Sequence, residues 1–177
     1  AKLVVSGPLW KGRLSFGTEE MFTNRRNDFT QSGFSADAFN HIRQSIYAGF
    51  LEYYLNIGRM NYGAGLRYEY QKTDYYEKDV LQAEQSPSYR DWIPFVSVGY
   101  SKDNLNLAFS YRLNKYSPIY SMLQSSIDYD SKYEYKSGDP HLKPQKQHSF
   151  NLSGNYKWLS FMAYYNYVLD MYMTWYK

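Results

Sequence analysis

Strict alternation of apolar and polar side chains is the feature that most constrains how this chain can fold. In "NYGAGLRYEYQ", residues 61–71, every even position is apolar or aromatic and every odd position is polar or small. Successive side chains of a β-strand point to opposite faces, so this segment predicts a strand with one apolar face and one polar face. The same period recurs in "NLNLAFSYRLN", residues 104–114, and in "SFNLSGNYKW", residues 149–158.

Five further segments also favour strands. Most of them carry bulky residues in both registers, so their two faces are less distinct. They are residues 3–6, 11–27, 46–57, 91–102 and 160–173. The three regular segments are about ten residues long, the length that a tilted strand needs to cross a bilayer.

The connections between these segments alternate between short and long. The short ones lie near residues 7–12, 58–60, 102–104 and 157–160, and the long ones near 28–39, 77–90 and 115–147. Tight turns at one end and long loops at the other are typical of outer-membrane barrels. We therefore predict one all-β domain over residues 1–177, without a plug domain. It is an antiparallel up-and-down meander of about eight strands, either a transmembrane β-barrel or a segment of a larger one.

Aromatic residues are the outlier in the composition. The 177 residues include 22 Tyr, 10 Phe and 4 Trp. Tyrosine suits a boundary between apolar and wet surroundings, such as a protein interface, a sugar-binding face or a membrane interface, where Trp and Tyr form belts. The mean hydropathy of −0.68 does not oppose a membrane location, because a barrel strand is apolar only at alternate residues. A net charge of +3 without a basic run argues against nucleic acid.

The sequence offers little catalytic chemistry. It has no cysteine and three histidines, and no histidine, aspartate or glutamate spacing matches a metal site. No nucleophile motif or phosphate-binding glycine loop is present. We expect neither an enzyme nor a bound cofactor.

The loop before residue 149 contains several residues that restrict its backbone conformation. Pro140 and Pro144 restrict the residues before them to extended backbone, and Gly138 permits a turn. Together these residues end the long loop and direct the chain into the strand that begins at Ser149.

Three segments of the chain resemble a known family. "SGDPHLKPQKQHSFNLSGNYKW", residues 137–158, is similar to the G-N-P-x-L-K-P-E element of TonB-dependent outer-membrane receptors, and most similar to the related barrel family abundant in Bacteroidetes. "YRLNKYSPIYSML", residues 111–123, resembles the strand and loop before that element, and "VVSGPLWKGRLSFGTE", residues 4–19, resembles a hairpin of the family. Aspartate replaces the usual asparagine, and Gln145 the usual glutamate. The matching residues are Gly138, Asp139, Pro140, Leu142, Lys143 and Pro144.

The resemblance implies a location and a role. It places the chain in the outer membrane of a Gram-negative cell, as the later part of a receptor barrel in contact with lipid. Energy would come through TonB, a plug domain would belong to the parent protein, and the solute would be a nutrient such as a glycan fragment, an iron chelate or a cofactor. Family members carry a plug domain and a TonB-contacting box that are absent here, so we expect a fragment.

Two other functions fit the same pattern. One is a small complete eight-stranded barrel that anchors or adheres, and the other is a soluble aromatic-rich β-sandwich that binds carbohydrate. In a barrel, charged residues on the polar faces of the strands are predicted to line the lumen. These candidates are Arg67, Glu69, Arg112 and Lys157.

Overall fold

One antiparallel sheet dominates the structure, a computed structural model that describes residues 1–29, 38–123, 128–131, 134–139 and 141–172. Nine strands belong to the sheet. They are β1 (Lys2–Leu9), β2 (Gly12–Phe29), β3 (Ala38–Ile57), β4 (Met60–Glu77), β5 (Val80–Leu81), β6 (Ser88–Lys102), β7 (Leu105–Tyr116), β10 (Gln145–Tyr156) and β11 (Leu159–Leu169). A separate hairpin, β8 (Asp128–Ser131) and β9 (Glu134–Lys136), and a short helix, α1 (Tyr120–Leu123), lie between β7 and β10.

The sheet is an up-and-down meander. Its order is β1-β2-β3-β4-β6-β7-β10-β11, with β5 paired only to β4. This confirms the predicted fold class and the eight principal strands. Short turns join the strands at one end, and each contains a residue with positive φ. These residues are Trp10, Gly58, Asp103 and Lys157.

Three strands are longer than a single membrane crossing requires. β2, β3 and β4 have 18, 20 and 18 residues, whereas a tilted strand crosses a bilayer with about 9–11. β3 begins at Ala38, before the predicted start at residue 46. The extra length lies toward the long loops, where polar residues such as Arg43 and Lys72 occupy the otherwise apolar face. A strand that continues into water needs no apolar alternation, so the sequence pattern missed the start of β3 and the end of β4.

The two faces of the sheet differ sharply in chemistry. One, the apolar face, carries exposed large hydrophobic side chains on every long strand. They include Leu3, Phe16, Leu51, Leu66, Trp92, Phe109, Leu152 and Tyr165. Among the described residues no second sheet covers this face, so the soluble β-sandwich hypothesis is wrong. A sheet face of this kind requires a nonaqueous neighbour.

The apolar face has the height of a membrane. On β4 it runs from Met60 to Tyr70 before Lys72 interrupts it. Ten steps of about 3.3 Å, tilted by about 40° as barrel strands are, give a band of about 25 Å. Aromatic rings mark its upper limit: Tyr68 and Trp92 pack with centroids 4.8 Å apart. Its lower limit lies at the short turns, where Trp10 is 89% exposed.

The sheet is open rather than closed. β1 pairs with β2 alone and β11 with β10 alone. A complete eight-stranded barrel would need β1 to pair with β11, and the described strands do not pair in that way. Both edges therefore present backbone donors and acceptors that a bilayer cannot satisfy.

The small core lies on the polar face beneath the long loops. Tyr75 is fully buried there, together with Ile42 and Ile46. Leu142 and Pro144 from the loop before β10 line the same enclosed space as Tyr75. The loops therefore cap one end of the sheet. Within the described ranges, no helix is long and apolar enough to span a membrane.

Candidate functional site on the polar face

The structure brings two of the predicted lumen residues together. The Arg67 guanidinium donates to Glu69 Oε2 from Nε at 3.3 Å and from Nη2 at 3.2 Å. Alternate residues of β4 share a face, so this contact follows from the sequence spacing. Arg112 lies on the same face, but its guanidinium stacks on the Phe95 ring, 5.2 Å from the centroid. Charged residues on this face therefore come from more than one strand, here β4 and β7.

Lys157 is placed differently. It lies in the two-residue turn between β10 and β11, with φ of 52°, and its Nζ sits 5.5 Å from the centroid of Tyr156. The predicted strand 149–158 ends at Tyr156, so the odd-residue alternation does not reach Lys157. Its expected place on the lumen face is corrected to the turn end of the sheet.

Arg67 and Glu69 belong to a larger group that we call the charge cluster. It contains three cations and three carboxylates: Glu19, Arg67, Glu69, Asp91, Lys115 and Lys146.

The contacts of the charge cluster form a continuous chain. Arg67 Nη1 lies 2.7 Å from Glu19 Oε2. Lys115 Nζ lies 2.9 Å from both Glu69 Oε1 and Asp91 Oδ2, and Lys146 Nζ lies 2.5 Å from Asp91 Oδ1. Opposite charges therefore alternate across β2, β4, β6, β7 and β10.

The middle of the charge cluster is buried. The side chains of Lys115 and Asp91 are 4% and 5% exposed, and that of Glu69 is 12% exposed. Burying a charge costs several kcal/mol unless ionic and hydrogen-bonding partners compensate for it. Each of these three groups has two partners, so the cluster holds the strands in one arrangement.

A break in the sheet explains how Lys115 reaches the cluster. The ladder between β6 and β7 ends at Phe95 and Arg112, although both strands continue. The next residue of β6 is Pro94, which lacks the N–H that a ladder needs. Beyond it the strands part, and Lys115 and Lys146 extend across the gap to Asp91.

Sequence reasoning missed four members of the charge cluster. Asp91 and Glu19 lie in the polar register of their strands. That register was the sequence feature that could have identified them as residues of the polar face. Alternation assigns Lys115 to the apolar face, because Lys115 lies two residues after Leu113. Lys146 pairs with Lys115 and receives the same assignment. Only the parting of β6 and β7 puts the two ammonium groups on the polar side.

A cavity of about 490 Å³ adjoins the charge cluster on the polar face. Arg67, Glu69, Lys115 and Arg112 contribute to its lining. Within the part of the chain that the structure describes, Arg112 makes no salt bridge, and its guanidinium stacks on the Phe95 ring. A second cavity of about 430 Å³ shares Arg112 and is otherwise lined mainly by hydroxyls, amides and rings, among them Tyr54, Phe95, Ser97, Ser110, Asn151 and Asn166.

The loop element before β10 closes over the long-loop end of this face. Asp139 Oδ1 accepts a hydrogen bond of 2.8 Å from the His141 N–H, and the Asp139 N–H donates to the Met122 carbonyl at 2.7 Å. Aspartate thus supplies the turn-forming acceptor that asparagine would also provide. Gly138 precedes this turn, Lys143 is exposed and Pro144 is buried; Pro140 lies outside the described residues.

The polar face combines a row of paired charges with two adjoining polar cavities. Opposite charges pair along the charge cluster, and both adjoining cavities are lined in part by Arg112, the second together with amides and hydroxyls. Among the described side chains, no group of three histidine, aspartate or glutamate residues converges as metal ligands do.

Comparison with known proteins agrees with these two opposed faces. The family model for "Outer membrane protein beta-barrel family" matches residues 1–175. A search of curated proteins gave no match. Since the match spans nearly the whole chain, and the sheet has a lipid-compatible face, this chain belongs to the outer membrane protein β-barrel family and is a protein of the outer membrane.

Proposed function

We propose that this chain forms part of a TonB-dependent receptor-like barrel that takes up a nutrient solute, and that it acts in transport rather than as an enzyme. The observation that carries the proposal is the pair of cavities on the polar face, which share Arg112, a residue without a salt bridge among the described residues. They lie on the reverse side of the lipid-compatible band, where a barrel has its lumen.

The sheet edges support a larger barrel. β1 and β11 each leave one edge unpaired, and exposed edges are not tolerated in lipid. Further strands that pair with both edges would satisfy these groups and widen the lumen. An eight-stranded barrel has an interior filled by side chains, whereas larger barrels leave room for solutes.

The long-loop end supports a receptor with an external mouth. The loop element that resembles G-N-P-x-L-K-P-E packs against the polar face and shares the enclosed space around Tyr75. Solute would meet these loops first and then the cavities. By the same resemblance, a plug domain and TonB are proposed partners of the whole protein, and a Bacteroidetes-type receptor is the proposed subgroup.

Uptake by cells tests the proposal. Cells that produce the whole protein are given labelled oligosaccharides, iron chelates and cofactors, in strains with and without TonB. We expect uptake of one class, dependent on TonB. Arg112→Ala should reduce the uptake, while Lys157→Ala, which removes the same charge at the turn end, should not.

Two results would contradict the proposal. Uptake that is equal without TonB would indicate a passive pore. Absence of uptake together with TonB-independent attachment of cells to a surface would favour the anchoring or adhesive function.

A further inference from the structure

A row of cations lies on the apolar side of the sheet, immediately beyond the aromatic limit of the membrane band. Arg43, Lys72 and Arg90 are all exposed on this side. They come from the neighbouring strands β3, β4 and β6. We call these three residues the basic row.

The pairing of the strands fixes the spacing of the basic row. Arg43 pairs with Asp74, two residues from Lys72. Lys72 pairs with Ser88, two residues from Arg90. Diagonal neighbours on adjacent strands lie about 7–8 Å apart, so the three residues form an oblique line about 15 Å long. Their side chains can reach one extended anionic group or two close ones.

Aromatic rings hold the two guanidinium groups. Arg43 Cζ lies 5.5 Å from the centroid of Tyr76, and Arg90 Cζ lies 5.7 Å from the centroid of Tyr70. Stacking on a ring leaves the N–H groups at the guanidinium edge available for an anion. Neither arginine makes a salt bridge within the described residues.

Lys72 has one carboxylate partner, Asp74, whose Oδ1 lies 3.0 Å from Nζ. Its side chain remains 53% exposed, and the hydrogen bond and charge of Asp74 raise the pKa of Lys72. Glu20 also lies on this side, at the level of Tyr47. Among the described residues named here, the three cations of the basic row therefore exceed the two carboxylates, Asp74 and Glu20.

We propose that the basic row binds the phosphate groups of an anionic glycolipid in the outward leaflet of the outer membrane. Headgroup phosphates lie at the level just beyond the interfacial aromatic rings, and that is where these cations sit. Guanidinium groups pair with phosphate in a bidentate manner, and the adjacent apolar band would contact the acyl chains. The inference rests on family membership and is independent of solute uptake.

Lipid titration of the folded whole protein tests the proposal. Bisphosphorylated lipid A is added to the protein in neutral detergent, and bound lipid is counted by native mass spectrometry. Phosphatidylethanolamine and inorganic phosphate serve as comparison ligands. We expect lipid A to bind at least tenfold more tightly than phosphatidylethanolamine, with no competition from inorganic phosphate at equal concentration.

The decisive variant removes the basic row as Arg43→Gln, Lys72→Gln and Arg90→Gln together. One cation near a membrane surface is worth roughly fivefold in affinity, so the triple variant should lose about a hundredfold. A matched control removes three exposed cations at the short-turn end, as Lys11→Gln, Arg59→Gln and Lys102→Gln. It changes net charge equally, and its affinity should stay within threefold of the parent protein.

Three outcomes would overturn the proposal. They are an equal loss in both triple variants, no loss in the basic-row variant, and equally tight binding of inorganic phosphate alone. If the triple variant does not fold, the single variants Arg43→Gln and Arg90→Gln decide the matter, because each should lose about fivefold. Unchanged affinity in both would refute lipid recognition by this row.

Discussion

Replacing Lys115 by alanine provides the sharpest test of the charge cluster. The Lys115 ammonium is the shared partner of two buried carboxylates, with both N–O distances at 2.9 Å. Removal leaves Glu69 with Arg67 alone and Asp91 with Lys146 alone. Breaking a buried ion pair costs about 3–5 kcal/mol in the free energy of unfolding. Because each carboxylate keeps one cation, we expect a loss of about 3 kcal/mol, the lower end of that range.

The assay is reversible urea unfolding of the protein in lipid vesicles, followed by the difference in gel mobility between unheated and heated samples. Lys102→Ala is the matched control, because Lys102 is exposed near a turn and surface charges contribute about 0–1 kcal/mol. A double variant with Asp91→Asn as well should lose less than the two single variants combined.

Two results would refute the reasoning. Equal stability changes for Lys115→Ala and Lys102→Ala would show that the buried ion pairs of Lys115 do not contribute to the free energy of unfolding. Strict additivity of Lys115→Ala and Asp91→Asn would show that the two side chains do not interact across the gap between β6 and β7.

Three further predictions concern close packing, depth in the membrane and the loop turn. A Cβ on Gly65 would lie 2.1 Å from a ring carbon of Phe95, whereas a Cβ on Gly49 would meet nothing within 4 Å. Gly65→Ala should therefore lower the free energy of unfolding by about 1–3 kcal/mol, and Gly49→Ala should not lower it. In single-tryptophan variants, bromine near the lipid headgroups should quench Trp92 and Trp158 fluorescence more than bromine at the bilayer centre, and the reverse order would refute the membrane band. Asp139→Ala should lower the free energy of unfolding by about 0.5–1 kcal/mol by removing the acceptor for the His141 N–H, while Asp139→Asn keeps it.

The main architecture could be predicted from the sequence because the side chains of a strand alternate between two faces with a period of two residues. The segment from Asn61 to Gln71 displayed its two faces directly, and the short and long connections gave the order of the hairpins. Local geometry decides both features, and neither depends on distant parts of the chain. The pairing of Arg67 with Glu69 follows from the same alternation.

Where local alternation ceased to apply, sequence reasoning failed. The early start of β3 at Ala38 lies in water, where either face of a strand tolerates polar residues. Lys157 obeys the odd-residue pattern in sequence, but a turn of positive φ removes it from the ladder.

The sequence by itself determined that this chain makes an antiparallel meander with one lipid-compatible face, since period-two patterning and turn spacing are local properties. The tertiary structure decided which charges meet. Lys115 and Lys146 reach Asp91 because Pro94 ends the ladder between β6 and β7, and the oblique line of Arg43, Lys72 and Arg90 exists because register sets neighbours on adjacent strands. Contacts between residues far apart in sequence depend on strand register and on breaks in pairing, and alternation within one strand does not encode either.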